Sequence, residues 1–558
     1  VLLIALAVFA VDLALAGVLL ATQLRQAQQQ VRAGADALND GDLADARGAF
    51  DAGHGAARRA DFGAAQPAVR ILGWFPPLRD EVAAVRAMAS SAVLATDAGG
   101  DVVDTAEAAG WDDEHIPGFA PGGEIDMAVI REASPGLQFA AGMLADASSQ
   151  VEAVHEDGLM SAVRGPFGDA KETIVTRANQ LHDIAGVTDL LPSMLGADEE
   201  RTYLLFMLNT ADPRGWTGFP GSYTLIHCDG QRIEIDDVQP VGTLPLPDEP
   251  VPAPPGYSPR YNGFGARTNF IATTYSPDFP VNAQLILSMW DATGQPPVDG
   301  VIVAAPGWMS DLLKTIGAVD RPAELTSIGS RGPRWPHKLN ENNIARVMTR
   351  DTFLTLSSPQ SNDWQTAIGT TLWDSFLERT WRPNPLITGL TSSVADRQLA
   401  FWPVREEEQT LMGDLGATGT FPSDGDTPFV TFDGILPNRI GYYADRTVEV
   451  TEEPPAEDGS VRGTVTVTVE NRAEAGPRSI LLGKHKKGQG QDYGIFGFAV
   501  NVYLPHGATS RGSQINGKNE PAFAETELGR KVVTQFADVD FGKTVVITVN
   551  YERPAASR

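Results

Sequence analysis

Asn209, Asp212, Arg214, Arg267, Asn269 and Asp278 are the residues of this chain whose types and spacing could do chemistry together. Arginine presents a planar fork of donors that suits phosphate oxygens. That makes Arg214 and Arg267, flanked by Asn209 and Asn269, the candidate phosphate-binding group. Carboxylates can take up a proton or hold a hard divalent ion. Asp212 and Asp278 are therefore the candidate catalytic residues, and Asp212 is also the candidate metal ligand. The same charges can equally pair with one another and pin loops. Other chemistries lack their residues. Gly218-Phe219-Pro220-Gly221-Ser222 only loosely resembles a nucleophile elbow. The eight histidines are scattered with no zinc-ligand spacing, and neither a phosphate-binding P-loop nor a dinucleotide-binding glycine fingerprint occurs.

The elements that must position these residues are read from the stretch Tyr203 to Ile235. An apolar run, Tyr203–Leu208, stops at Asn209 and is followed by a polar, glycine-rich loop carrying Asp212 and Arg214. An alternating, β-prone run over 222–227 follows, and Asp229-Gly230 signals a hairpin into 232–235. A buried strand thus delivers a charged loop, the kind of place where ligands are often held, although glycines in such a loop also serve turns alone. Further on, a Pro-rich extended stretch over 238–259 precedes Arg267 and Asn269. Residues 281–293 and 308–316 have helical periodicity, with a short apolar strand at 301–305 between them. The alternation of strand and helix predicts a layered αβα domain.

Around this centre the chain divides by pattern into four parts. Residues 1–22 are apolar apart from Asp12 and span about 33 Å as a helix, enough for a transmembrane anchor. Asp12, costly in mid-bilayer, is a candidate contact to a membrane partner or a second copy of the helix. Residues 23–190 predict a helical stalk or bundle, with a turn at Gly41-Asp42 and a break at Pro76-Pro77. Residues 191–425 form the α/β part with a helical extension. Residues 426–558 alternate with period two, as in Val465, Val467 and Val469, which predicts a β-sandwich. The fold class is thus multidomain α+β. With 71 acidic against 43 basic residues, the net charge of −28 excludes a nucleic-acid binder and disfavours broad attraction to anionic lipid. The acidic balance and the single cysteine, Cys228, place the bulk of the chain outside the cell membrane as a single-pass protein.

The order N-x-x-D-x-R-x-x-x-G-F-x-G-S-Y, then S-P-D-F-P, then V-D-G-V-I-V, resembles the bacterial domain-of-unknown-function 4012 family. The resemblance runs through Trp402 and Gln409 into the β-rich tail and takes in the anchor and the Gly41-Asp42 region. The high Ala, Gly, Asp and Arg content is similar to actinobacterial members, which implies an outward-facing envelope protein. That family is distantly similar to the LytR-CpsA-Psr transferases, which move glycopolymers from a polyprenyl pyrophosphate carrier to the cell wall with Mg²⁺ and arginines. By motif order Arg214 and Arg267 match their arginines, and the 298–303 segment matches their Asp-bearing strand. Their metal-holding Ser-Asp is replaced here by Gly215-Trp216-Thr217-Gly218-Phe219, leaving Asp212 as the one nearby substitute for holding Mg²⁺.

Two functions follow as expectations. One is a membrane-anchored envelope protein that binds or transfers a polyprenyl-phosphate-linked saccharide or cell-wall polymer, which would make it a glycopolymer (phospho)transferase. The other is a non-catalytic surface scaffold, partnered by a second copy of itself or by another envelope protein. The first requires Arg214 and Arg267 to converge on one anionic ligand; the second requires them to lie apart or to be locked by Asp212 and Asp278.

Overall fold

The computed structural model describes residues 2–111, 119–120, 124–322, 335–379, 383–422, 425–484 and 492–555; the side chains of 2–19, 77, 355, 358–359 and 383–384 lie outside that description. It is a mixed helix-and-sheet, multidomain protein that separates into two compact units. The first comprises residues 1–200 with 228–232 and 380–384, and the second the remainder.

The first unit is built from long helices: Leu2–Asn39, Leu43–Ala64, Arg79–Ala108, Met127–Glu152 and Ser161–Met194, with a short one at Pro67–Leu72. Gly41, at φ 79°, turns the chain between the first two, and the Asp42 side chain accepts the Asp45 amide at 2.9 Å to start the second. Alanine dominates the seams, as in the cluster of Ala27, Ala56 and Ala57 and that of Ala60, Ala64 and Ala89. Small side chains let helix axes approach closely. The helical region predicted over 23–190 has a further break: a turn at 153–160 separates the last two long helices, and the Met160 amide closes it by donating to Glu81 at 3.2 Å. Among the described residues no helix is long and apolar enough to cross a membrane. The helix Leu2–Asn39 runs through the apolar stretch, but the side chains of 2–19, Asp12 included, lie outside the described residues, and most of the anchor reading falls there.

The second unit holds three sheets that matter for the site. The first has the spatial order Leu399–Pro403, Gly300–Ala304, Arg201–Asn209, Phe219–Cys228, Ile233–Ile235, with Gln239–Pro240 beside Phe219–Cys228. Strands 201–209 and 300–304 are parallel, in register Tyr203 to Gly300, and 399–403 is antiparallel to 300–304. The helix Phe279–Ala292 covers the sheet, burying Ile286, Met289 and Trp290 against Leu204, Phe206, Val301 and Val303. The Pro-rich stretch is more packed than its composition implies, since Val241, Leu244 and Val251 join this core. The C-terminal residues form two antiparallel sheets, one led by Phe429–Gly434 and Phe496–Tyr503, the other by Val461–Asn471 and Thr544–Arg553. Val465, Val467 and Val469 share one apolar core with Phe498, Val500 and Val502, so the sheets stack as a sandwich.

Candidate functional site

The strand Arg201–Asn209 delivers the charged loop as its pattern requires. Asn209 is buried, and its Oδ1 accepts the Ala211 amide at 2.9 Å, which turns the chain. The Phe219 amide then returns to the Asp212 carbonyl at 2.9 Å. Between them Trp216 is buried against Phe279, ring centroids 5.5 Å apart, with the Arg397 guanidinium 3.8 Å above its face. Gly215 has no room for a side chain, because a Cβ would run into the Tyr275 carbonyl. Its amide donates instead to Asp433 Oδ1 at 2.8 Å. The glycines therefore serve close packing of the loop against neighbouring backbone.

Asp212 sits at the centre, with 5 % of its surface exposed. Arg214 Nη1 approaches its Oδ1 at 3.1 Å, and Arg439 Nη1 donates to its Oδ2. Arg214 also donates to the Gly434 carbonyl and lies 4.6 Å above the Tyr275 ring, while Arg439 stacks 4.5 Å from Phe219. Burial pushes the Asp212 carboxyl above its ordinary range, while the two guanidinium groups pull the other way. Burial likewise lowers Arg439 and lifts the Tyr275 hydroxyl to about 12.

The pairing continues inward as a chain of buried polar groups. Asp433 accepts Asn501 Nδ2 at 2.7 Å, and Asn501 Oδ1 accepts Arg260 Nη2 at 2.5 Å and Thr534 at 2.8 Å. Arg260 reaches Glu527 at 3.4 Å, which also accepts the hydroxyls of Tyr261 at 2.9 Å and Tyr503 at 2.7 Å. The network thus links Asp212, Arg214 and Arg260 of the α/β part to Asp433, Arg439 and Glu527 of the C-terminal residues. Arg260, Asp433, Arg439, Asn501 and Glu527 were not singled out from the sequence. Arg439 is 227 positions from Asp212, and no periodicity or motif marks such a pair.

The other candidates do local work. Arg267 Nε donates to the Val251 carbonyl at 2.5 Å, pinning the Pro-rich stretch, and its charge lies by Tyr257. Asn269 Oδ1 accepts the Ile271 amide at 3.2 Å, capping a short turn. Asp278 caps the helix Phe279–Ala292, accepting Val281 at 3.3 Å and Phe421 at 2.8 Å. Burial raises its carboxyl, opposed by those amides and then by Arg397. Among the described residues, the contacts of Arg214 and those of Arg267 have no residue in common.

Mg²⁺ does not fit at Asp212, since both its oxygens face guanidinium groups. Among the described residues no group of three or more His, Cys, Asp or Glu could hold a metal ion.

No curated protein matches the chain. Asp433, Arg439 and Glu527 lie outside the stretch that carries a family likeness. That stretch is residues 198–353, which match a family described as a protein of unknown function, DUF4012; the charged loop, Arg267 and Asp278 fall within it.

Proposed function

We propose that this chain is a non-catalytic, membrane-anchored scaffold of the cell surface, whose arginine–carboxylate set joins the α/β sheet to the C-terminal sandwich. One observation carries the reading: Arg214, the best phosphate ligand by type and position, spends its guanidinium on Asp212, Tyr275 and the Gly434 carbonyl. A glycopolymer transferase needs that group open to a phosphate, and kinship with the LytR-CpsA-Psr transferases rests on motif order alone. In this reading residues 1–22 span the membrane, Asp12 offers a contact for a second copy or a membrane partner, and the acidic bulk of the chain faces outward.

The test is a transfer and binding assay with a polyprenyl-phosphate-linked saccharide on the full chain in detergent, wild type beside Arg214→Ala. The scaffold reading expects no transfer by either protein and a lower melting temperature for the variant. Transfer by the wild type that Arg214→Ala abolishes, with the fold intact, would replace this reading with glycopolymer transfer.

A further inference from the structure

The first unit exposes a close run of large apolar side chains. Phe62, Ile71, Trp74 and Phe75 have 71 %, 46 %, 82 % and 56 % of their surface exposed, within fourteen consecutive positions, while Phe139 and Ile184 are exposed singly on other helices of the unit. Their backbone is well made. The Trp74 amide donates to the Ile71 carbonyl at 3.1 Å, Phe75 to Leu72 at 3.0 Å, and Leu78 to Phe75 at 2.9 Å. Pro76 then opens a short 3₁₀ turn. The turn therefore holds these rings out in a set arrangement.

Its height along the bundle is fixed by the first two long helices. From Leu20 to Asn39 the chain rises about 28 Å, and from Leu43 to Ala64 it returns about 32 Å. The return ends beside its start: Ala60 and Ala64 pack with Leu20 and Leu24, and Arg59 Nε donates to Gln23 Oε1 at 2.7 Å. The connection that carries Ile71, Trp74 and Phe75 follows the helix Leu43–Ala64 directly, so it lies at the end of the bundle where residues 20–24 sit and where the apolar stretch 1–22 gives way to polar sequence. The second turn at this end, 153–160, adds Met160, 51 % exposed.

Tryptophan and phenylalanine favour the boundary between hydrocarbon and headgroups. Charge at this end is mixed: Arg58, Arg59, Arg70 and Arg79 are exposed, and so are Asp80, Glu152 and Asp157. We infer that the surface around Trp74 and Phe75 docks into the interfacial layer of a bilayer, alongside the span made by residues 1–22. The inference rests on the anchored reading above.

The experiment uses the full chain reconstituted in vesicles of mixed zwitterionic and anionic phospholipid. The native cysteine, Cys228, is buried and shielded from reagent. Trp74→Cys and, as a control at the other end of the helical hairpin, Asp40→Cys are each labelled with an environment-sensitive fluorophore. Quenching by spin-labelled lipid is measured, and retention of the chain in the vesicles is checked by alkaline carbonate extraction. Lipid quenching at position 74 at least about twofold stronger than at position 40 is expected, with the chain retained. Retention with equal, weak quenching at both positions overturns this inference and leaves the anchor standing; the surface would then belong to a protein partner or a second copy. Extraction by carbonate overturns the anchor and this inference together.

Discussion

Asp212 and Arg439, 227 positions apart in the chain, form an ion pair whose side chains keep 6 % and 17 % of their surface exposed. Arg214 approaches the other oxygen of the same carboxylate at 3.1 Å. One anion therefore separates two cations in a place with little water. Asp212→Ala would leave the two guanidinium groups facing each other, and breaking a buried pair by removing one partner costs about 3–5 kcal/mol. The expected result is a large fall in the melting temperature of the second unit, together with faster hydrogen exchange at the Gly215 amide, which is bonded to Asp433 in the same network. A loss below about 1 kcal/mol, the size of a surface pair, would show that the pair does not hold the parts together.

Glu527 supplies a pH dependence whose sign can be worked out. Burial raises its carboxyl above the ordinary value, the largest influence on it, while bonds from Tyr503 and Tyr261 and the charge of Arg260 oppose that rise. The folded protein then holds this proton more readily than the unfolded chain, so the group's contribution to stability is full below the ordinary glutamate range and is lost as pH rises through the raised value. Glu527→Gln keeps an acceptor for both tyrosine hydroxyls and fixes the neutral state. The variant should gain most relative to wild type at neutral pH, and the gap should close as pH falls toward the ordinary glutamate range. Denaturant melts at stepped pH read this directly, and a gap that widens on acidification would reverse the assignment.

The features legible in the sequence are those that a short window encodes. Gly41-Asp42 marks its turn because a positive φ and a side-chain cap are local demands, and Val465, Val467 and Val469 reveal an inward face because a strand alternates sides. The loop after Asn209 was legible as a charged, glycine-rich turn, but its purpose was not. Whether Arg214 faces a ligand or a carbonyl depends on Gly434 and Arg439, which come from the end of the strand Phe429–Gly434 and the loop after it. Arg267 illustrates the same limit. Its type suggested phosphate, yet its nearest acceptor is the Val251 carbonyl, and no pattern in 238–259 announces that Val251 is buried. The break at 153–160 escaped because its only helix breaker is Gly158, and helical periodicity continues on either side.

A second buried ion pair offers a comparison with Asp212. Arg201, wholly buried, is gripped by Glu408 through two bonds of 2.9 Å and approached by Asp299 at 2.9 Å. It ties the first residue of a central strand to the helix Glu406–Asp414. Glu408→Ala should cost about 3–5 kcal/mol, because Asp299 alone must then balance the cation. Arg201→Met with Glu408→Leu should recover a good part of that loss, since packed apolar residues often replace a buried pair without penalty. Calorimetry of the single and double variants checks both statements. A double variant no better than Glu408→Ala would mean that the strand needs the charges themselves.

The last prediction concerns Phe50, 5 % exposed in the seam of the helical unit beside Ala46 and Val103. A Cβ added at Gly34 or Gly99 would run into its ring, so the two glycines form the slot that admits it. Phe50→Ala should cost about 3–5 kcal/mol by leaving a cavity. Gly99→Ala should cost about 1–3 kcal/mol for the opposite reason, since the slot becomes too narrow for the ring. These two losses should not add. With Phe50→Leu in place, the smaller side chain leaves room for the methyl group of Gly99→Ala, and the double variant should be more stable than the sum of the singles allows. Thermal melts followed by helical circular dichroism give the coupling. A strictly additive result would show that the ring does not occupy the slot and that each change weakens its helix separately.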